Sequence, residues 1–140
     1  HAYVGRAMGD AIRKHAGGVD AVAGVELGGC SLASAVAMQS LDADAPLDAV
    51  FVRKSTKAHG SQRQLEGAQD LKPGAALAVV EDTVTTGGST LRAIDVLVEH
   101  GFVVPLVVAV VDRLEGAADA FAAREVPFVA LYDRHDFIPA

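Results

Sequence analysis

Apolar residues are distributed along this chain in two patterns, one recurring at about 3.6 residues and one nearly continuous, and segments of the two kinds alternate. Between Tyr3 and His15, Val4, Ala7, Met8, Ala11 and Ile12 recur at helical spacing, and Gly17-Gly18 ends the run, which predicts a first helix. Val19–Val25 is short, apolar and β-branched, and predicts a buried strand. Glu26–Cys30 follows as a glycine-containing loop, then Ser31–Gln39 as a small-residue helix N-capped by Ser31. Asp48–Arg53 predicts a second strand. Residues 54–70 carry almost no apolar periodicity, with Leu65 their one large apolar side chain. Lys72-Pro73-Gly74 predicts a turn feeding the strand Ala76–Glu81. Ser89–His100 is an amphipathic helix with Leu91, Ile94, Leu97 and Val98 on one face, stopped by Gly101. Phe102–Val111 predicts a strand, Ala117–Arg124 a helix, and Pro127–Leu131 a last strand.

Strands that are apolar on both faces and alternate with helices predict an α/β fold, a parallel sheet covered on each side and joined by right-handed crossovers. At 140 residues the chain is one domain, 1–140, with a core buried between sheet and helices. In such sheets ligands bind beyond the carboxyl ends of the strands. Glu26, Arg53, the Glu81-Asp82 pair and the Asp112-Arg113 pair all fall there.

Charge narrows the function classes. A net charge of −6 and a pI near 5.2 offer no electrostatic footprint for nucleic acid or an anionic membrane. An anionic ligand therefore needs a local basic cluster. Cys30 is the only cysteine, which excludes an intrachain disulfide and points to a reducing cytoplasm. Cys30 is read as a packing residue rather than a nucleophile, because it opens an apolar helix. No apolar run reaches the ~18 residues of a membrane span; Pro105 interrupts the longest, Phe102–Val111.

The densest chemistry lies between Val79 and Thr90, Val-Val-Glu-Asp-Thr-Val-Thr-Thr-Gly-Gly-Ser-Thr. An apolar strand ends in two carboxylates, and a hydroxyl- and glycine-rich turn then opens a helix. Backbone N–H groups and hydroxyls at the positive end of a helix dipole suit a phosphate. Glu81 and Asp82 suit a diol or a hydrated divalent cation. The alternative is an ordinary strand-to-helix loop with an N-cap. A second cluster, Arg53-Lys54-Ser55-Thr56-Lys57-Ala58-His59-Gly60, concentrates cations in an otherwise acidic chain, in a loop of ~17 residues, a length typical of lids. Its cations suit a diphosphate leaving group, and His59 can donate a proton or hydrogen bond. The alternative is a solvated basic loop.

The Val79–Thr90 stretch resembles the phosphoribosyl pyrophosphate (PRPP) motif of type I phosphoribosyltransferases. Arg-Lys-x-x-Lys-x-His-Gly, followed by Glu66-Gly67, resembles the catalytic loop of the orotate phosphoribosyltransferases, and Val111-Asp112-Arg113 with Glu115-Gly116 matches a third motif of that family. The resemblance covers most of Val19–Leu131. It implies transfer of the phosphoribosyl group from PRPP to orotate, with Mg²⁺ as cofactor bound through PRPP and water near Glu81 and Asp82 rather than directly. It also implies a homodimer with shared active sites, in which Lys54 serves its own subunit while Arg53, Lys57 and His59 reach the neighbour's. Lys57, His59 and Asp82 are then catalytic. PRPP binding falls to Arg53, Lys54, Lys57, His59, Glu81, Asp82, Thr83, Val84, Thr85, Thr86, Gly87, Gly88 and Ser89. Thr85 and Arg113 face orotate, and Arg113 suits its planar carboxylate.

Two departures from the family pattern stand out. The loop Glu26-Leu27-Gly28-Gly29, expected at the pyrophosphate, carries Leu27 where the family usually has lysine, which leaves the contact to backbone N–H groups of Gly28 and Gly29. The N-terminal hood that covers orotate in full-length members is missing or truncated, and residue 1 is His rather than Met. Rival readings are a phosphoribosyltransferase for another base and a non-catalytic PRPP-binding regulatory domain. A dinucleotide-binding module is disfavoured, because Gly24, Gly28 and Gly29 do not make Gly-x-Gly-x-x-Gly after the first strand.

Overall fold

A computed structural model describes residues 1–54 and 64–138. The elements run α1 (Ala2–Ala16), β1 (Ala21–Val25), α2 (Gly28–Gln39), β2 (Asp48–Val52), β3 (Leu65–Glu66), β4 (Leu77–Val84), α3 (Gly88–Glu99), β5 (Val107–Asp112), α4 (Ala117–Ala122) and β6 (Phe128–Asp133), ending in a 3-10 turn at Arg134–Asp136. The six strands form one sheet in the order β3-β2-β1-β4-β5-β6. All neighbours are parallel except β3, which pairs antiparallel with β2 through Phe51↔Glu66 and Val52↔Leu65.

Both faces of the sheet are covered, which is why the strands read as unbroken apolar runs. Met8, Ile12, Leu32 and Val36 of α1 and α2 close over Val22, Ala78, Val80 and Val108. Ile94 and Leu97 of α3 and Phe121 of α4 close over Val25, Leu77, Val79 and Val107 on the other face. With β1 and β4 adjacent at the centre, the turns that follow them sit side by side at the carboxyl edge.

The structure corrects several predicted boundaries. Helix α2 starts at Gly28, so Ser31 lies inside its first turn, where its hydroxyl donates to the Gly28 carbonyl (3.1 Å) instead of capping. Strand β4 continues past the acidic pair to Val84, because β5 goes on pairing with it at Thr83↔Val111 and Val84↔Asp112. Strand β5 begins only at Val107. Before it, Val103 makes an isolated bridge to Ala76, and Pro105 lacks the N–H that a central ladder requires. Residues 54–70 include the short strand β3, and the final strand reaches Asp133.

Candidate active site

Extension of β4 through Val84 decides how the two acids are used. Adjacent strand residues point to opposite faces, so Glu81 and Asp82 part company. Glu81 faces α3 and is only 6% exposed, and the equally buried Thr90 hydroxyl donates to its Oε1 at 2.9 Å. Burial pushes the Glu81 carboxyl up to about 7, against the Thr90 hydrogen bond, which favours the charged form; the Asp82 charge adds to the rise and Lys54 opposes it. Asp82 is exposed, faces the start of α2, and accepts from the N–H of Thr83 (2.6 Å). Its carboxylate lies against Gly28: a Cβ built on that glycine would fall 2.1 Å from Asp82 Oδ2. Thr83 is exposed, while Val84 turns its side chain into the core and its carbonyl accepts from the Arg113 N–H.

Thr85, Thr86, Gly87, Gly88 and Ser89 form the turn into α3. Gly87 has φ 79°, a left-handed conformation costly for other residues. A Cβ there would also sit 3.1 Å from the Phe121 ring. Thr90, expected to offer a hydroxyl to the phosphate, spends it on Glu81. The β5–α4 loop is tied onto this turn by two backbone bonds, Arg113 N–H to Val84 O (3.0 Å) and Ala117 N–H to Thr85 O (3.1 Å). Thr85 and Arg113 thereby lie on two adjoining loops. The buried Asp112 shapes the loop, its Oδ1 accepting from Leu114 N–H at 2.8 Å, and the Arg113 guanidinium rests on Glu115 (2.8 Å), both side chains well exposed.

The neighbouring turn, Glu26–Gly29, is built differently. Its Glu26–Leu27 peptide is cis, and Leu27 is 79% exposed at the N-cap of α2. Glu26 joins this turn to the end of β2: its N–H donates to Val52 O (2.9 Å) and its Oε2 accepts from Lys54 N–H (3.1 Å). Arg53 pairs with Glu66 of β3 in its own chain (3.4 Å). Lys57 and His59 lie outside the described residues. Behind Leu27, burial and then the charges of Glu26 and Glu81 push the Cys30 thiol up, in keeping with packing rather than nucleophilic chemistry.

A cleft of about 290 Å³ opens beside the turn into α3, lined by Arg53, Lys54 and Gln64 on one side and by Ser89, Arg92, Asp95, Val96 and Glu99 of α3 on the other. Arg92 escaped the sequence reading; its signal was its place four residues after Gly88, which sets it on the same helical face. Among the described residues no three His, Cys, Asp or Glu side chains converge as a metal cage. Of the Glu81-Asp82 pair, the exposed Asp82 carboxylate suits a hydrated divalent cation, whereas Glu81 is buried against Thr90.

A family model described as a phosphoribosyl transferase domain matches residues 2–129. The orotate phosphoribosyltransferase of Sorangium cellulosum is 51% identical over 142 residues, covering 99% of this chain and 72% of that protein. One from Bradyrhizobium sp. BTAi1 is 44% identical over 123 residues, covering 86% of this chain and 66% of its own length, so the chain spans about two thirds of that relative. Among solved structures, the orotate phosphoribosyltransferase of Mycobacterium tuberculosis in complex with PRPP superposes with a TM-score of 0.81 at 32% identity, over 98% of this chain and 75% of that one.

Proposed function

The chain belongs to the phosphoribosyl transferase domain family, among the orotate phosphoribosyltransferases, and from that premise we propose how it moves the phosphoribosyl group of PRPP onto orotate, giving orotidine 5′-phosphate and pyrophosphate in pyrimidine (UMP) biosynthesis. The observation that carries the residue assignments is the tie between two loops. Backbone bonds from Arg113 and Ala117 hold the β5–α4 loop against the hydroxyl-rich turn after β4. A ribose 5-phosphate lying across that junction has its phosphate at one end and its anomeric carbon toward Arg113.

Thr85, Thr86, Gly87, Gly88 and Ser89 receive the 5′-phosphate with backbone N–H groups and hydroxyls. Asp82 reaches the ribose hydroxyls directly, while Glu81, buried against Thr90 on the other face of β4, serves PRPP binding by holding the turn from beneath. Gly28 and Gly29 offer N–H groups to the diphosphate, and Lys54, held over them by Glu26, adds charge. Asp82 would hold Mg²⁺ through water, and the ion would supply further neutralisation of the leaving group. Arg113 swings from Glu115 to the orotate carboxylate, a planar acceptor suited to its two parallel N–H donors. Lys57 and His59 join Asp82 as the catalytic residues, and Arg53 and Thr83 add to PRPP binding, in a homodimer whose partner shares each site. Catalysis rests on positioning and on charge stabilisation as pyrophosphate departs. The single cysteine suits a cytoplasmic enzyme.

The test is loss of orotate absorbance that depends on PRPP and Mg²⁺, with uracil, hypoxanthine and adenine as competitors for base choice. Lys57→Ala is expected to cut turnover by roughly 10²-fold or more while PRPP affinity stays within several-fold. Turnover equal to wild type would remove the basic loop from the chemistry.

A further inference from the structure

We propose that Arg92 is a further binding residue for the 5′-phosphate of PRPP, closing the flank of the turn that the hydroxyls leave open; this rests on the reading of that turn given above. Side chains on a helix lean toward its N-terminus, so a residue in the second turn covers the first. Arg92 follows that rule: its Nη1 lies 3.6 Å from where a Cβ on Gly88 would stand. Thr86 Oγ1 approaches the same point at 3.9 Å. The missing side chain of Gly88 thus leaves a hollow bordered by a guanidinium and a hydroxyl, at the first residue of α3, where the peptide N–H groups also point.

The carboxylates near Arg92 do not claim it. Asp95, three residues on and sterically able to pair with it, is taken by Arg124 of α4. Glu99 lies two turns further along the same face, about 10 Å away along the axis. Among the described residues Arg92 makes no ion pair. Arg92 shares its cleft with Ser89, Lys54 and Arg53, the last paired with Glu66, and with Asp95 and Glu99 further along α3; of these acids Asp95 is engaged by Arg124, so the exposed guanidinium leaning over the helix N-terminus is arranged for an incoming phosphate.

Arg92→Gln and Arg92→Lys are compared with wild type by calorimetry against two probes, ribose 5-phosphate and inorganic pyrophosphate. Arg92 is exposed and makes no buried contact, so both variants are expected to fold. Arg92→Gln should weaken ribose 5-phosphate by about tenfold or more, the loss of one charge-assisted contact, with Arg92→Lys intermediate. Pyrophosphate affinity should stay within about twofold, since that ligand uses the other turn. Unchanged ribose 5-phosphate affinity in Arg92→Gln, or a loss confined to pyrophosphate, overturns the assignment of Arg92 alone. Failure of wild-type protein to bind ribose 5-phosphate overturns the reading of the turn, and this assignment with it.

Discussion

Two strand-to-helix turns stand side by side on the central strands, one after β1 and one after β4, and they carry different kinds of hydrogen-bond donor. The β4 turn is rich in side-chain donors: Thr85, Thr86 and Ser89, with Arg92 leaning in from the helix. The β1 turn has Leu27, Gly28 and Gly29, and so offers backbone alone. Each has one member of the acidic pair behind it. Glu81 is sunk against Thr90 beneath the β4 turn, and Asp82 lies out in solvent pressed against Gly28 of the β1 turn. Two acids adjacent in sequence therefore sit in different dielectrics. The buried one is costly to ionise, and the exposed one depends on a neighbour with no side chain.

That contrast breaks most sharply at Glu81. A carboxyl raised from 4.5 to about 7 holds a proton in the folded state that the unfolded chain has released. The folded state is therefore favoured below the ordinary carboxylate range, and that stability is lost as pH rises through about 7. Glu81→Gln removes the titration. Thermal unfolding of wild type should show a decline between about pH 5 and pH 8 that the variant lacks, amounting to as much as about 3 kcal/mol. Parallel curves would mean that Glu81 stays charged throughout.

Gly28→Ala probes the exposed acid. The new Cβ displaces the Asp82 carboxylate, and a shift of about 1 Å in a positioning group can cost roughly hundredfold in turnover. The same substitution made on an Asp82→Asn background should cost much less, because the two residues act as a unit. Additive losses in the double variant would show that Gly28 matters to the backbone and not to Asp82.

The smallest effect sharpens the comparison instead of breaking it. Leu27→Lys gives the β1 turn the side-chain cation that the β4 turn has in Arg92. Pyrophosphate should bind several-fold tighter, by about 1 kcal/mol at an exposed site, and ribose 5-phosphate unchanged, both by calorimetry. A gain for both ligands would show that the two turns share one field.

Much of this was legible in the chain. The alternation of apolar runs and amphipathic segments marked the parallel sheet, and the acid-then-hydroxyl sequence marked its ligand edge, because both depend on local order alone. What escaped depended on partners distant in sequence. Strand β4 runs past the acids only because β5 continues beside it, and once that is known, strand alternation separates Glu81 from Asp82. Helix α2 begins at Gly28 although glycine is a poor helix former, because that is where the chain must pack against Asp82. The short β3 needed β2 as its template, and the engagement of Asp95 by Arg124 joins two helices with no sequence signature linking them.

The two peptide links that fasten Arg113 and Ala117 to the carbonyls of Val84 and Thr85 have a practical meaning for redesign. Both use main-chain atoms, so they are indifferent to residue type. On the proposed function, Leu114 and Glu115 are the positions to vary for base preference while the anchorage beneath persists, whereas Gly116, at φ 102°, is to be kept. Swaps that install proline at 113 or 117 would delete an anchoring amide and unmoor the segment.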